Sequence, residues 1–235
     1  MPTQIKPIKL KLPLNLGSVN SYLLQNDTDY ILIDTGSSNT RKEIEKVLES
    51  SGCKPGNLRL IILTHGDFDH TGNAAYLRNK FGTKIAIHYS DSGMLERGDM
   101  FFNRKKPNIA IAIMLPIIFG FGKSERCKPD LYIDDGYDLC TYGFDAKVIY
   151  IPGHSKGSIG ILTEATGDLF CGDLMENIEK PVFSSIIDDL EAANTSIEKL
   201  ESLKINTVYP GHGKPFAMKL FANDNKQIKK RGKSI

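Results

Sequence analysis

The sequence predicts an α/β (α+β) fold in which two mixed β-sheets pack face to face with helices outside. Three observations carry that prediction. Strand-like segments come in clusters, helical segments interrupt them twice, and the two halves of the chain read alike. No Pro- or Ser-rich linker divides the halves, so one domain holds both.

The elements follow in order. Ile8, Leu10, Leu12 and Leu14 share one parity, with Lys9 and Lys11 on the other, as in a half-buried strand. Residues 19–24 and 30–34 flank a turn at Asn26-Asp27 and read as a hairpin. A helix capped by Ser37 or Ser38 carries Ile44, Val47 and Leu48 on one face and ends at Gly52. Residues 58–63 form an apolar run of buried-strand type. A helix over 71–81 and a strand over 84–88 come next. Residues 91–128 break this rhythm and read as an insertion of short helices or a lid. Strands return at 131–133, 137–142, 147–151, 159–163 and 169–171. Residues 188–203 are helical, 207–209 form a last strand, and 223–235 are a basic polar tail. The expected organisation is a single domain over 1–222 plus that tail.

Composition narrows the class. The chain has 235 residues, enough for a substantial core, and a formal net charge of +2, which gives no ground for a nucleic-acid partner. Lys6, Lys9 and Lys11 interrupt any leader-like apolar start, so the expected location is cytoplasmic. Cys53, Cys127, Cys140 and Cys171 form no Cys-x-x-Cys pair and read as reduced thiols. The apolar stretch 109–122 is too short to span a bilayer and contains Pro116, so no stable membrane insertion is expected. That stretch reads as core or lid ahead of a homodimer patch or a membrane-surface contact. With Phe101 and Phe102 before it, it suits an apolar acyl group.

The chemistry lies in five short segments. The densest is Thr64-His65-Gly66-Asp67-Phe68-Asp69-His70; the others contain His154, Asp173, His212 and, more weakly, Asp34. Four of the five histidines sit there, three of them beside a glycine near the end of an apolar run. Residues two apart in an extended segment point the same way, so His65 and Asp67 can share one metal. Asp69 and His70, at the bend into a helix, can reach a second. His88 ends a strand outside any such segment and reads as a non-ligand. Cys171 reads as a core thiol.

In order and context these residues resemble the metallo-β-lactamase fold superfamily, whose pattern is His-x-His-x-Asp-His followed by a lone His, an Asp and a last His. The resemblance implies a four-layer αββα sandwich with two divalent metal ions, usually zinc. It assigns His65, Asp67 and His154 to one ion and Asp69, His70 and His212 to the other, with Asp173 bridging. Asp34 would support the ligands by hydrogen bonds. The departure is Asp67, where most members carry histidine. Two divalent ions, three carboxylates and one hydroxide sum to zero formal charge, one unit below the usual set. That favours harder ions, so iron or manganese gains weight against zinc.

The implied activity is hydrolysis of an ester-like bond (ester, lactone or thioester) in a small-molecule substrate, through a hydroxide shared by the two metals. Asp69 is the expected catalytic residue, orienting that nucleophile or moving a proton to the leaving group. Only 23 residues follow His212, too few for the helical domain of the glyoxalase II-type members. The other readings are a di-iron oxidoreductase with a separate electron partner, a phosphodiesterase, and a low-turnover ligand-binding protein.

Overall fold

A computed structural model describes residues 3–105 and 108–221. The basic tail at 223–235 lies outside the described residues. The chain runs β1 (Gln4–Lys11), β2 (Ser18–Asn26), β3 (Asp29–Ile33), α1 (Arg41–Ser50), β4 (Leu58–Leu63), α2 (Phe68–Thr71), α3 (Ala74–Phe81) and β5 (Lys84–Ile87). Then come α4 (Tyr89–Arg97), α5 (Ile109–Ile118), β6 (Leu131–Tyr132), β7 (Ala146–Tyr150), β8 (Ile159–Thr163) and β9 (Asp168–Gly172). The last elements are β10 (Met175–Glu176), β11 (Val182–Phe183), α6 (Leu190–Glu201), β12 (Thr207–Pro210) and β13 (Phe216–Ala217).

One sheet has the order β1-β2-β3-β4-β5-β6, antiparallel from β1 to β3 and parallel from β3 to β6. The other has the order β13-β12-β9-β8-β7, with only the β12–β9 pair parallel. Both are therefore mixed, as expected. Three apolar clusters separate four layers. Leu24, Ile31, Ile33 and Ile62 of the first sheet meet Val148, Ile161 and Phe170 of the second. The opposite parity of the first sheet, Leu23, Leu32 and Ile61, packs on Ile44 and Leu48 of α1 and Leu77 and Phe81 of α3. Ile149, Leu162 and Leu169 pack on Ala193, Ile197 and Leu200 of α6. Burial on both faces explains why 60–63 reads as an unbroken apolar run instead of an alternation.

The structure corrects several local expectations. The helix foreseen over 71–81 is two helices. Gly72 lies so close to Ser37-Ser38 that a Cβ would sit 2.3 Å from the Ser38 nitrogen. Asn73 breaks the helix by donating from Nδ2 to the carbonyls of Thr35 and Ser37, each at 2.8 Å. Residues 137–142 form no strand. They bridge β7 once, at Asp138 and Lys147, and then turn back through Gly143, whose φ is +85°. Ser37 and Ser38 do not cap α1 directly, because a single turn over Ser38–Thr40 precedes it. The two-residue strands β10, β11 and β13 are too short to leave a periodicity in sequence.

The apolar stretch 109–122 joins the core only at its end. Helix α5 buries none of its residues, and Ile109 and Ile117 are 77% and 75% exposed. Leu115 and Ile118 pack on the edge of the α1/α3 cluster, which Phe119 and Phe121 enter fully. Among the described residues no helix is long and apolar enough to cross a membrane.

Candidate metal centre

The parallel strands end where the chemistry begins. Asp34 follows β3, Thr64-His65 follows β4, Asp173 follows β9 and His212 follows β12. Ligands gather at the carboxyl ends of parallel strands because the chain there leaves the sheet in loops free to converge. The seam between the two sheets is pinned at this edge. Asn20 donates from Nδ2 to the carbonyls of Pro210 and Gly213, and Tyr22 donates its hydroxyl to Pro210 at 2.7 Å.

Each of the four histidines is tied outward through Nδ1. In His154 it donates to the Ile186 carbonyl at 2.6 Å, and in His212 to the Ser18 carbonyl at 2.9 Å. In His70 it donates to Asp34 Oδ2 at 2.8 Å. Thr64 gives its hydroxyl proton to Asp34 Oδ2, so its oxygen accepts from His65 Nδ1 at 3.0 Å. All four partners act as acceptors. In the neutral rings this leaves each Nε2 with a lone pair turned inward. Asp34 has the supporting place that the resemblance implied. Its backbone adopts φ +58°, unusual outside glycine, which lets one carboxylate reach both Thr64 and His70.

The seven residues singled out in the sequence come together. His154 Nε2 lies 3.1 Å from Asp67 Oδ2, and His65 Nε2 lies 3.6 Å from the same oxygen. His212 Nε2 lies 3.4 Å from Asp69 Oδ2, and His70 Nε2 lies 3.9 Å from it. Asp173 stands between these groups, with Oδ2 3.1 Å from His212 Nε2 and 4.0 Å from His65 Nε2, and Oδ1 3.3 Å from His70 Nε2. Potential ligand atoms of His65, Asp67 and His154 cluster within 4.8 Å, as do those of Asp69, His70 and His212, and of His65, His70 and Asp173.

The donor set fits divalent cations. His65 Nε2, His70 Nε2 and Asp173 Oδ1 are buried without a hydrogen-bond partner. Lone pairs facing carboxylate oxygens at these distances repel unless a cation lies between them. Without a metal, protons take its place. Burial disfavours charge on His70, but Asp173, Asp34 and Asp69 outweigh it and raise the imidazole well above its usual range. Burial, with His70 and His154 alongside, drives His65 well below that range. Gly211 completes the fit, since a Cβ there would stand 2.0 Å from Asp173 Oδ1. Gly211→Ala is therefore expected to displace Asp173 and lower metal occupancy, read by elemental analysis. Full occupancy in that variant would show that the close approach is dispensable.

Sequence reasoning missed the residues that hold this cluster from behind. Arg104 is the main one. Its guanidinium, with 4% side-chain exposure, donates from Nη1 to Asp67 Oδ1 and from Nη2 to the His154 carbonyl at 3.1 Å. Its Nε lies 2.5 Å from Asp188 Oδ2, as an ion pair too oblique for a hydrogen bond. Burial would raise the Asp67 carboxyl, but Arg104 and His154 hold it well below the usual carboxylate range. Arg104 sets a buried cation against that third carboxylate, and Asp188 shares the same cation. In sequence, Arg104-Lys105-Lys106 looks like an ordinary solvated charge run. Asp91, fully buried, was missed as well. It accepts from the Gly66 nitrogen at 3.1 Å, Ser155 Oγ at 2.6 Å and the Gly157 nitrogen at 2.8 Å, tying the His65 loop to the His154 loop.

The two residues set aside stay apart from the cluster. His88 caps α4, accepting from the Ser90 nitrogen, and stacks on Tyr150 at 4.7 Å. Cys171 is buried in the α6-side core, which pushes its thiol up to about 12.

The four-layer αββα sandwich with a histidine–aspartate cluster at the strand ends is the arrangement that the sequence resemblance implied. The chain belongs to the metallo-beta-lactamase superfamily, whose sequence profile matches residues 14–212. It is 27% identical over 202 residues to the Beta-lactamase-like protein 2 homolog of Caenorhabditis elegans, covering 86% of this chain but only 58% of that protein's length. It is 27% identical to the acyl-coenzyme A thioesterase MBLAC2 of Homo sapiens, covering 91% of this chain and 80% of that one. To the hydroxyacylglutathione hydrolase GloC of Haemophilus influenzae it is 29% identical over 70% of each chain. A metallo-beta-lactamase family protein of Thermus thermophilus, TTHA1429, shares the fold, with a TM-score of 0.71 at 24% identity over 97% of this chain and 80% of that one.

Proposed function

We propose that this protein is a dinuclear metal-dependent hydrolase of small-molecule esters, with thioesters of apolar acyl groups as its main substrates. The observation that carries the reading is the set of four inward Nε2 lone pairs, each fixed by an outward Nδ1 hydrogen bond. His65, Asp67 and His154 would hold one ion, Asp69, His70 and His212 the other, with Asp173 shared between them. Two divalent ions there would supply Lewis acidity for the substrate carbonyl and bring the pKa of a water toward neutrality. The rest falls to the chain. Side chains of Asp69 and His212 are 14% and 16% exposed, against 8% or less for the other five, so Asp69 is the carboxylate that substrate can approach. It orients the attacking water, accepts its proton and returns it to the leaving group.

The thioester preference rests on two supports. Two relatives are named for acyl-coenzyme A and hydroxyacylglutathione, both S-acyl compounds. A cavity of about 240 Å³ is lined mostly by apolar residues, Phe68, Met100, Phe101, Ala112, Ile113 and Pro116, with Gly98 and Asp99 completing it, and Phe68 stands between Asp67 and Asp69 in the chain. That cavity would take the acyl group. Residues 91–128 then act as a wall of the site within one catalytic domain over 1–222, as Asp91 and Arg104 reaching the cluster support.

The test is turnover of a panel of acyl-thioesters, esters, lactones and phosphodiesters by protein of measured metal content. A chelator should abolish thioester hydrolysis, and a divalent ion should restore it. Chelator-resistant turnover, or turnover of phosphodiesters alone, would overturn the reading.

A further inference from the structure

We infer that Asp67 and Arg104 act as one unit in place of a single histidine ligand, with Arg104 as the positioning residue that selects which Asp67 oxygen faces the metal and sets the charge of that ligand. The inference rests on the dinuclear metal reading above and adds to it a determinant of metal preference.

The geometry is specific. Asp67 Oδ1 is taken by Arg104, and Oδ2 is the oxygen near His65 and His154. A carboxylate free at both oxygens can rotate or bind through both; this one presents a single oxygen, as an imidazole presents a single nitrogen. The outer polarity is reversed to match. A histidine ligand carries an N–H on its far side and needs an acceptor there, as Ile186 and Ser18 provide for His154 and His212. An aspartate has an acceptor on its far side and needs a donor, which Arg104 supplies.

Arg104 is held by more than Asp67. Its second nitrogen meets the carbonyl of His154, itself in the same three-residue group. Its Nε meets Asp188, whose backbone nitrogen donates to the Gly153 carbonyl at 2.9 Å beside His154. The planar fork of an arginine suits this three-way contact better than the point charge of a lysine. The guanidinium thus couples two of the three potential ligands of one ion, from a segment with no ligand of its own.

Removing Arg104 should have two effects. Asp67 gains freedom to bind through both oxygens, and the site becomes one unit more negative. Both favour a hard ion over a borderline one. Metal-free protein would be titrated calorimetrically with Zn²⁺ and separately with Mn²⁺, for wild type, Arg104→Met, Arg104→Lys, Asp67→His and the double variant Asp67→His with Arg104→Met. In Arg104→Met the ratio of manganese to zinc affinity should rise about tenfold or more at one of two sites, with a smaller rise in Arg104→Lys. Asp67→His alone leaves a buried cation facing a neutral ring and should weaken both ions. The double variant, which removes the charges together, should return the ratio to within about threefold of wild type.

A purely structural role predicts otherwise: affinity for both ions falls by the same factor, and the double variant does not recover. That result, or unchanged affinities in Arg104→Met, overturns the inference while leaving the dinuclear reading intact. Wild type that binds neither ion overturns both. If Arg104→Met does not fold, the comparison of Arg104→Lys with the double variant decides the same question.

Discussion

Asp173→Ala is expected to release at least one metal ion and to lower kcat/KM about a thousandfold or more. Asp173 is the one carboxylate whose two oxygens approach histidines of both three-residue groups, at 3.1 and 4.0 Å through Oδ2 and 3.3 Å through Oδ1. Its loss removes the one anion that faces His65, His70 and His212 together, and cations held by the two groups would lose their shared counter-charge. Asp173→Asn keeps the shape but not the charge, and should fall between wild type and Ala in metal content. Elemental analysis after dialysis checks this directly. Both ions retained at full occupancy in Asp173→Ala would refute the shared role.

Asp91→Ala is expected to destabilise the metal-free protein by about 3 kcal/mol and to weaken the ion near His154. The carboxylate is fully buried and is the acceptor for two backbone N–H groups and one hydroxyl, in loops far apart in sequence. Urea unfolding measures the loss through a lower midpoint at unchanged slope. A midpoint equal to that of wild type would show that the loops are held without it. Asp91 is not among the seven clustered residues, so metal loss in this variant would arise through the positions of His65 and His154.

The seven clustered residues were legible because each lies in a short segment that only one use explains well. Glycine next to histidine or aspartate, at the end of an apolar strand, marks a backbone that must turn sharply beside a side chain that must point inward. The strands were legible for a similar reason: burial on one face or two leaves a pattern of period two or an unbroken apolar run. The break at Gly72-Asn73 was not legible, because it is imposed by Thr35 and Ser37 across the fold. Residues 137–142 alternate like a strand, yet the turn at Gly143 leaves them a single bridge to β7.

The sequence by itself determined the fold class, the two mixed sheets and the membership of the His/Asp cluster, because periodicity and local turn chemistry are properties of neighbouring residues. It also showed that Asp67 stands where a histidine is usual. Only the tertiary structure decided what that substitution means. Arg104 and Asp91 lie in the segment 91–128 that breaks the rhythm of the chain, and nothing local singles out either. Their roles depend on burial beside groups dozens of positions away, where low dielectric makes an unpaired charge costly and a paired one directional. The extra carboxylate counted from sequence faces a buried cation from a segment that contributes none of the clustered residues.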